Sequence, residues 1–288
     1  MRANPDPAAA LDGSFGSSPA LPMTYIDVQG VAVPALGFGT WALRGTAGRE
    51  AIETALDVGY RHLDTARSYD NEAEVGQALR NRRVAREGVF LTTKVWPDRL
   101  KYRDALRSLD ESLHALKTDY VDLLLIHWPN EAVELEETLD AFQEARARGK
   151  ARLLGVSNFP PALLERALEL VPDLACDQVE YHPFLSQDTL LEVVRKHGLF
   201  LTAYSPVARG AVVHDQTIQE IAATHGRSAA QVTLRWLLQQ DRVAAIPRSA
   251  DPAHIRANFE VFDFALSEEE MEAMGALARE QRLVTPPA

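Results

Sequence analysis

From residue 35 onward the chain alternates short, almost continuous apolar runs with longer amphipathic stretches. The runs begin near Ala35 (ALGFGT), His62 (HLDTA), Val89 (VFLTTKV), Val121 (VDLLLIHW), Ala151 (ARLLGVSN), Asp177 (DQVE), Leu199 (LFLTAYS) and Val243 (VAAIPRS). All but the last of the intervals between them have room for one strand, one helix and two short loops. The last interval has room for two helices, predicted at 214–224 and 228–238. In the stretch after the third run, Leu106, Leu109, Leu113 and Leu116 share one helical face. Gly59, Gly149, Gly198 and Gly226 each follow a helical pattern, where a left-handed residue closes the last turn. Ser267 with Glu270 forms a capping box ahead of a C-terminal helix. Near-continuous apolar strands belong to a parallel sheet covered by helices, and eight strand–helix units is the number that closes into a barrel. The pattern therefore predicts an α/β fold, a (β/α)8 TIM barrel, with an open doubly wound sheet as the alternative. Ahead of the barrel, residues 25–28 and 31–33 flank Gln29-Gly30 as a short hairpin.

Residues 1–22 are rich in Ala, Pro, Gly and Ser without apolar periodicity, and read as a disordered leader preceding one barrel domain over 23–288. The chain carries 30 Lys and Arg against 41 Asp and Glu, a formal net charge of −11, which argues against partners recognised through phosphate: nucleic acid and anionic membrane surfaces. Cys176 is the only cysteine, so an intramolecular disulfide and a thiolate metal cluster are both excluded. No His/Cys set has metal-ligand spacing, and no stretch approaches the 18 or more apolar residues that span a bilayer. A cytoplasmic setting and a monomer are the expectations.

Chemistry in a barrel sits at the C-terminal ends of its strands. Here those ends hold Asp64 with Tyr69 in the following loop, Lys94, His127, Ser157-Asn158, Gln178 with Glu180, Tyr204-Ser205 and Arg248-Ser249. Trp41, Trp96 and Trp128 follow strands one, three and four at the same pole. A lone strand-end Asp caps helices, and a lone Lys there is usually a solvated head; four such groups on neighbouring strands make a site. His62 and His182 read as structural. An ammonium beside Tyr69 would stabilise its phenolate and lower a pKa that is about 10 in free tyrosine. Asp64 would hold the Lys94 ammonium, and His127 would orient a carbonyl oxygen toward the phenol. Such a site protonates a C=O oxygen but contains no hydride source. Tyr204 offers a stacking face for an aromatic cofactor ring, and Ser157, Asn158 and Gln178 offer the donors and acceptors a carboxamide needs. The chemistry inferred is reduction of a small carbonyl substrate by a bound nicotinamide. Gly37-Phe38-Gly39-Thr40-Trp41-Ala42 also fits a dinucleotide fingerprint, but no helix opens directly on its glycines, as phosphate binding there would need.

The motifs LGFGTW (36–41), DTA (64–66) with Tyr69, TKVW (93–96), DYVDLLLIHWP (119–129), GVSNF (155–159), QVEYHP (178–183), AYSP (203–206) and IPRS (246–249) together resemble the aldo-keto reductase superfamily, from about Thr24 to Pro286. Residues 69–72 and 282–286 look most like its bacterial 2,5-diketo-D-gluconate and methylglyoxal reductase members. The resemblance implies a catalytic tetrad of Asp64, Tyr69, Lys94 and His127, with Tyr69 as general acid. It implies a nicotinamide site at Ser157, Asn158, Gln178 and Tyr204, with further cofactor contacts at Thr40, Trp41 and Asp64. Pyrophosphate and adenosine contacts fall on Ser205, Val207, Pro247, Arg248, Ser249, His254 and Asn258. It further implies that the hairpin plugs the barrel floor, that extra helices follow strand seven and close the chain, and that NADPH is the usual cofactor. Two positions depart from the family pattern. Arg248 stands where a Lys is usual, and His254 where an Arg usually holds the 2′-phosphate, so NADH acceptance is also expected. Trp41, Trp96, His127, Trp128 and Phe159 are expected to wall the substrate pocket. The short segment beyond the last helix predicts an open pocket that no long C-terminal flap narrows. Two other readings stay open: a cofactor-binding regulatory subunit on the same barrel, and a lyase or aldolase working through a Lys94 Schiff base.

Overall fold

The computed structural model describes residues 23–287; the leader expected over 1–22 lies outside the described residues. Two strands, β1 (Tyr25–Val28) and β2 (Val31–Pro34), pair antiparallel around Gln29-Gly30. Both turn residues adopt positive φ, 53° and 74°, the geometry of the tight turns whose twist matches paired strands. Eight parallel strands follow: β3 (Phe38–Gly39), β4 (His62–Asp64), β5 (Phe90–Val95), β6 (Val121–Ile126), β7 (Ala151–Ser157), β8 (Cys176–Glu180), β9 (Phe200–Tyr204) and β10 (Val243–Ala245). Each pairs with its sequence neighbour in unbroken order from β3 to β10. Between β3 and β10 the Ala245 and Gly37 amides exchange bonds with Ala35 O and Ala245 O at 2.8 and 2.9 Å, and Gly39 N donates to Pro247 O at 3.0 Å. The sheet closes. The open-sheet alternative is excluded, and with it the dinucleotide fingerprint: a Cβ at Gly39 would sit 2.8 Å from Ile246 O, and one at Gly37 2.8 Å from His62. These glycines let the first and last strands approach.

Helices α1 (Gly45–Val58), α2 (Glu72–Asn81), α3 (Tyr102–Leu116), α4 (Leu135–Ala147), α5 (Pro161–Leu170) and α6 (Asp188–His197) fill the successive connections. As expected, β9 and β10 are joined by two helices, α7 (Gln216–His225) and α8 (Ala229–Leu238), and α9 (Pro252–Phe259) and α10 (Glu268–Gly275) complete the chain. α7 starts at Gln216 because residues 208–214 wind into 3₁₀ turns and Asp215 caps the helix through Ile218 N. Capping boxes open α8 (Ser228–Gln231) and α10 (Ser267–Glu270).

Two apolar clusters divide the interior. The larger lies between sheet and helices and includes Leu109, Leu113 and Leu116 of α3. The smaller joins Val28 and Val33 of the hairpin to Phe90, Leu123, Leu125, Leu153 and Phe200 inside the barrel. The hairpin therefore seals one end of the barrel with apolar side chains. The open end is the other pole, where the strands terminate.

Candidate active site

At the open pole lies a cleft of about 600 Å³, within the size range of small-molecule and cofactor sites. At its base, Lys94 of β5 and Asp64 of β4 are both buried and meet at 2.5 Å. The Lys94 ammonium also donates to Thr65 O at 2.9 Å and to the Tyr69 hydroxyl at 3.3 Å. The second Asp64 oxygen accepts from Gln178 Nε2 of β8 at 2.7 Å. Burial alone would discharge Lys94, but Asp64 and Tyr69 outweigh it and raise its pKa above the usual lysine value. An ammonium with three acceptors is not a nucleophilic amine, which removes the physical basis of the Schiff-base reading.

Tyr69 departs from expectation in one respect. Burial raises its pKa and outweighs the lowering by Lys94, so the phenol stays protonated at neutral pH. Its position is fixed by the 3₁₀ turn Arg67–Tyr69, closed by Asp70 in left-handed geometry. Arg44 Nε donates to Tyr69 O at 3.0 Å. Buried Asn71 ties this turn to the loop after β3, donating to Thr40 O and Leu43 O at 2.6 and 2.8 Å and accepting from Thr65 Oγ1.

His127, after β6, faces Tyr69 with ring centroids 5.6 Å apart and rests edge-on against Trp96 at 4.9 Å. Burial, reinforced by Lys94, holds its pKa well below the usual value. It is a neutral imidazole, able to donate one N–H to a ligand without carrying charge.

Amide and hydroxyl groups continue the site along the next strands. Asn158 Nδ2 donates to His127 O and Ser157 Oγ, both at 2.9 Å, while its Oδ1 accepts from the Tyr204 hydroxyl at 2.7 Å. Ser157 Oγ in turn donates to Gln178 O at 2.7 Å. This donor and acceptor set, beside the Tyr204 ring, suits a planar carboxamide on an aromatic ring, and the nicotinamide end of a dinucleotide fits it.

The cleft brings together Trp41, Asp64, Tyr69, Trp96, His127, Trp128, Ser157, Asn158, Gln178, Tyr204, Ser205, Val207 and Arg248. Phe159 is not on its wall: the side chain is 1% exposed and packs into the core behind β7. Thr40 is buried too, its hydroxyl committed to Asp64 O at 3.0 Å. Pro247 and Ser249 flank Arg248 without lining the cleft, and His254 and Asn258 lie beyond on α9. Asp251 caps that helix, accepting from Ala253 N at 2.7 Å and His254 N at 3.4 Å. The N–H groups an anion would use there already face a carboxylate. Among the described residues no group of three or more His, Cys, Asp or Glu is placed to hold a metal ion, and no helix is long and apolar enough to cross a membrane.

Sequence reasoning missed Ser68, whose Oγ lies 3.4 Å from His127 Nδ1, and Arg209, which lines the cleft with its guanidinium 5.8 Å from the Trp41 ring. It also missed the C-terminal segment. Val284, Thr285 and Pro287 line the cleft, so the expectation of an open pocket is corrected: a long flap is not needed, because the short segment is drawn across the barrel mouth. His182, read as structural, places Nε2 3.0 Å from Glu180 Oε1.

A closed barrel with an ammonium-backed phenol, a neutral imidazole and a row of amide and hydroxyl side chains at its open pole is the architecture of an NAD(P)H-dependent oxidoreductase acting on carbonyl groups. The model of the Aldo/keto reductase family matches residues 35–279, and the chain belongs to that family. It is similar to methylglyoxal reductase DkgB of Escherichia coli O157:H7, 38% identical over 260 residues that cover 89% of this chain and 97% of that one. It is also similar to morphine 6-dehydrogenase of Pseudomonas putida, 42% identical over 86% of this chain and 89% of that one. A crystal structure provisionally named as a 2,5-diketo-D-gluconic acid reductase B superimposes with a TM-score of 0.88 at 44% identity, covering 93% of this chain and 96% of the other.

Proposed function

We propose that this protein is an NADPH-preferring reductase of small aldehydes and ketones, of the methylglyoxal or diketo-acid type, in which Tyr69 protonates the carbonyl oxygen. The observation that carries the reading is the Tyr69–Lys94–Asp64 chain: a protonated phenol within 3.3 Å of an ammonium that a buried carboxylate holds in place. The nicotinamide, when bound, supplies the hydride. Ser157, Asn158 and Gln178 would hold its carboxamide, and Tyr204 would offer its ring a stacking face. Trp41, Trp96 and Trp128 exclude water around the carbonyl carbon. His127 donates to the carbonyl oxygen and aims it at Tyr69. As negative charge develops there, the phenol gives up its proton, and Lys94 stabilises the phenolate left behind. The names of the similar proteins support the same substrate class, and the morphine dehydrogenase resemblance supports alcohol oxidation by the reverse path.

Nicotinamide oxidation followed at 340 nm, on a carbonyl panel with NADPH and NADH in parallel, tests the proposal. Tyr69→Phe should lower kcat by at least about 10²-fold, the low end of general-acid contributions, and leave the nucleotide dissociation constant unchanged. Near-wild-type turnover in that variant would remove Tyr69 from the mechanism. Tight nucleotide binding with no turnover of any carbonyl or alcohol would favour the regulatory-subunit reading.

A further inference from the structure

The segment after α10 has no regular structure, yet it runs to the barrel mouth and places Val284, Thr285 and Pro287 on the cleft. Its approach is tethered at Phe184, whose carbonyl accepts from Arg279 N at 3.2 Å and Gln281 N at 3.0 Å, while the Arg279 guanidinium covers the Phe184 ring at 3.8 Å. Beyond residue 282, the hydrogen bonds from this segment to the barrel among the described residues end on one group. Leu283 N donates to Glu180 Oε1 at 2.7 Å and Val284 N to Glu180 Oε2 at 3.0 Å. Glu180 closes β8 with a fully buried side chain, is not itself on the cleft, and takes a third contact from His182 Nε2 on Oε1.

We infer that Glu180 is a specificity-determining positioning residue: its two carboxylate oxygens grip successive backbone amides and hold residues 283–287 as the outer wall of the substrate pocket. This rests on the reductase reading above. Only a carboxylate suits the task. It is acceptor-only at both oxygens, whereas an amide of the same shape turns an NH₂ toward one of the donors. Burial would push this carboxyl up, but the His182 contact and the two backbone amides outweigh it and hold the acid below its usual range. The carboxylate is therefore ionised and gripping at neutral pH. The wall is attached through backbone amides, with the Leu283 side chain packed against the core beside them, while Val284, Thr285 and Pro287 set the shape that a substrate meets.

The test compares wild type with Glu180→Gln, and with Val284→Pro, which deletes one of the gripped N–H groups from the tail side and leaves the buried carboxylate in place. Amide exchange at Leu283 should quicken at least about tenfold in both variants, without change in the β-strand amides. Across aldehydes of increasing size, KM for the smallest should rise about fivefold or more and the preference for small over bulky aldehydes should shrink. In Glu180→Gln, whose residue is off the cleft, kcat on the smallest and the NADPH dissociation constant should stay within about twofold. A fall in kcat at constant KM would place Glu180 in the chemistry instead and overturn the inference. So would unchanged exchange in both variants. Unchanged KM in an active enzyme overturns the specificity role alone, whereas faster exchange in a protein inactive on every carbonyl overturns the reductase reading beneath it.

Discussion

Lys94→Met tests the centre of the site through stability as well as rate. Lys94 and Asp64 are each 1% exposed and form one ion pair at 2.5 Å. Replacing the ammonium with a thioether of similar length removes the positive partner and leaves the Asp64 carboxylate buried. Of its two oxygens, only Oδ2 keeps a recorded side-chain donor, Gln178 Nε2 at 2.7 Å. Breaking a buried pair from one side costs about 3–5 kcal/mol, because the orphaned charge stays desolvated. Neutralising that charge as well, in Lys94→Met with Asp64→Asn, should recover a large part of the loss, so the two substitutions will be strongly non-additive. The assay is urea unfolding of the four proteins of the cycle, followed by tryptophan fluorescence at pH 7. kcat should fall by at least about 10²-fold in the two variants that lack Lys94, since Tyr69 loses the cation that stabilises its phenolate. A single variant losing less than about 1 kcal/mol, or additive losses in the double variant, would refute the description of Lys94 and Asp64 as one buried, mutually dependent pair.

Asp177 carries a pH prediction. The side chain is fully buried and neither oxygen closes a well-formed hydrogen bond. Burial raises its pKa well above the usual value, and the nearby Phe159 and Asn158 amides offset only part of that. A carboxyl raised in the folded state contributes stability that is fully present below the unfolded value of about 3.9 and is lost as pH rises through the folded one. Asp177→Asn should therefore match wild type near pH 3.5 and exceed it at pH 7 by about 1–3 kcal/mol, the cost of one unsatisfied buried group; equal melting temperatures at pH 7 would contradict this. At the nucleotide, His254→Arg places a permanent cation on the exposed side of α9, and should increase the ratio of the NADH to the NADPH dissociation constant. An unchanged ratio would mean that position 254 does not face the 2′-phosphate.

The eight strands could be read from the sequence because each is a compact apolar run and the connections between them are long enough for one helix. Strand-to-strand order then followed from barrel closure. The Gly37-x-Gly39 pattern was ambiguous, since the same glycines serve a phosphate turn or a close strand contact. What decides it is Ile246 O, 2.8 Å from where a Gly39 side chain would start and more than 200 residues away in sequence. The four candidate catalytic groups, Asp64, Tyr69, Lys94 and His127, were legible for a different reason. They end or follow three neighbouring strands, β4, β5 and β6, and strand ends share one pole whatever the details of packing.

The errors fall where a side chain's direction, not its position along a strand, sets its role. Phe159 follows Asn158, whose φ of 65° turns the chain just beyond β7; the amide side chain goes to the site and the ring goes to the core. Tyr69 was expected to be acidified by its ammonium, and burial reverses the sign, a balance that depends on how completely the surrounding loops close. Glu180 shows the limit most clearly. It stands two residues from Gln178 on the same strand, and alternation directs both to the barrel side of the sheet. Nothing local distinguishes the residue that binds Asp64 from the one that binds the tail. The distinction comes from Leu283 and Val284, about a hundred positions later, which supply backbone donors that no side-chain pattern reveals. A paired search could have found it: a buried carboxylate near the top of a strand needs donors, and an irregular segment crossing that pole has unpaired amides to give.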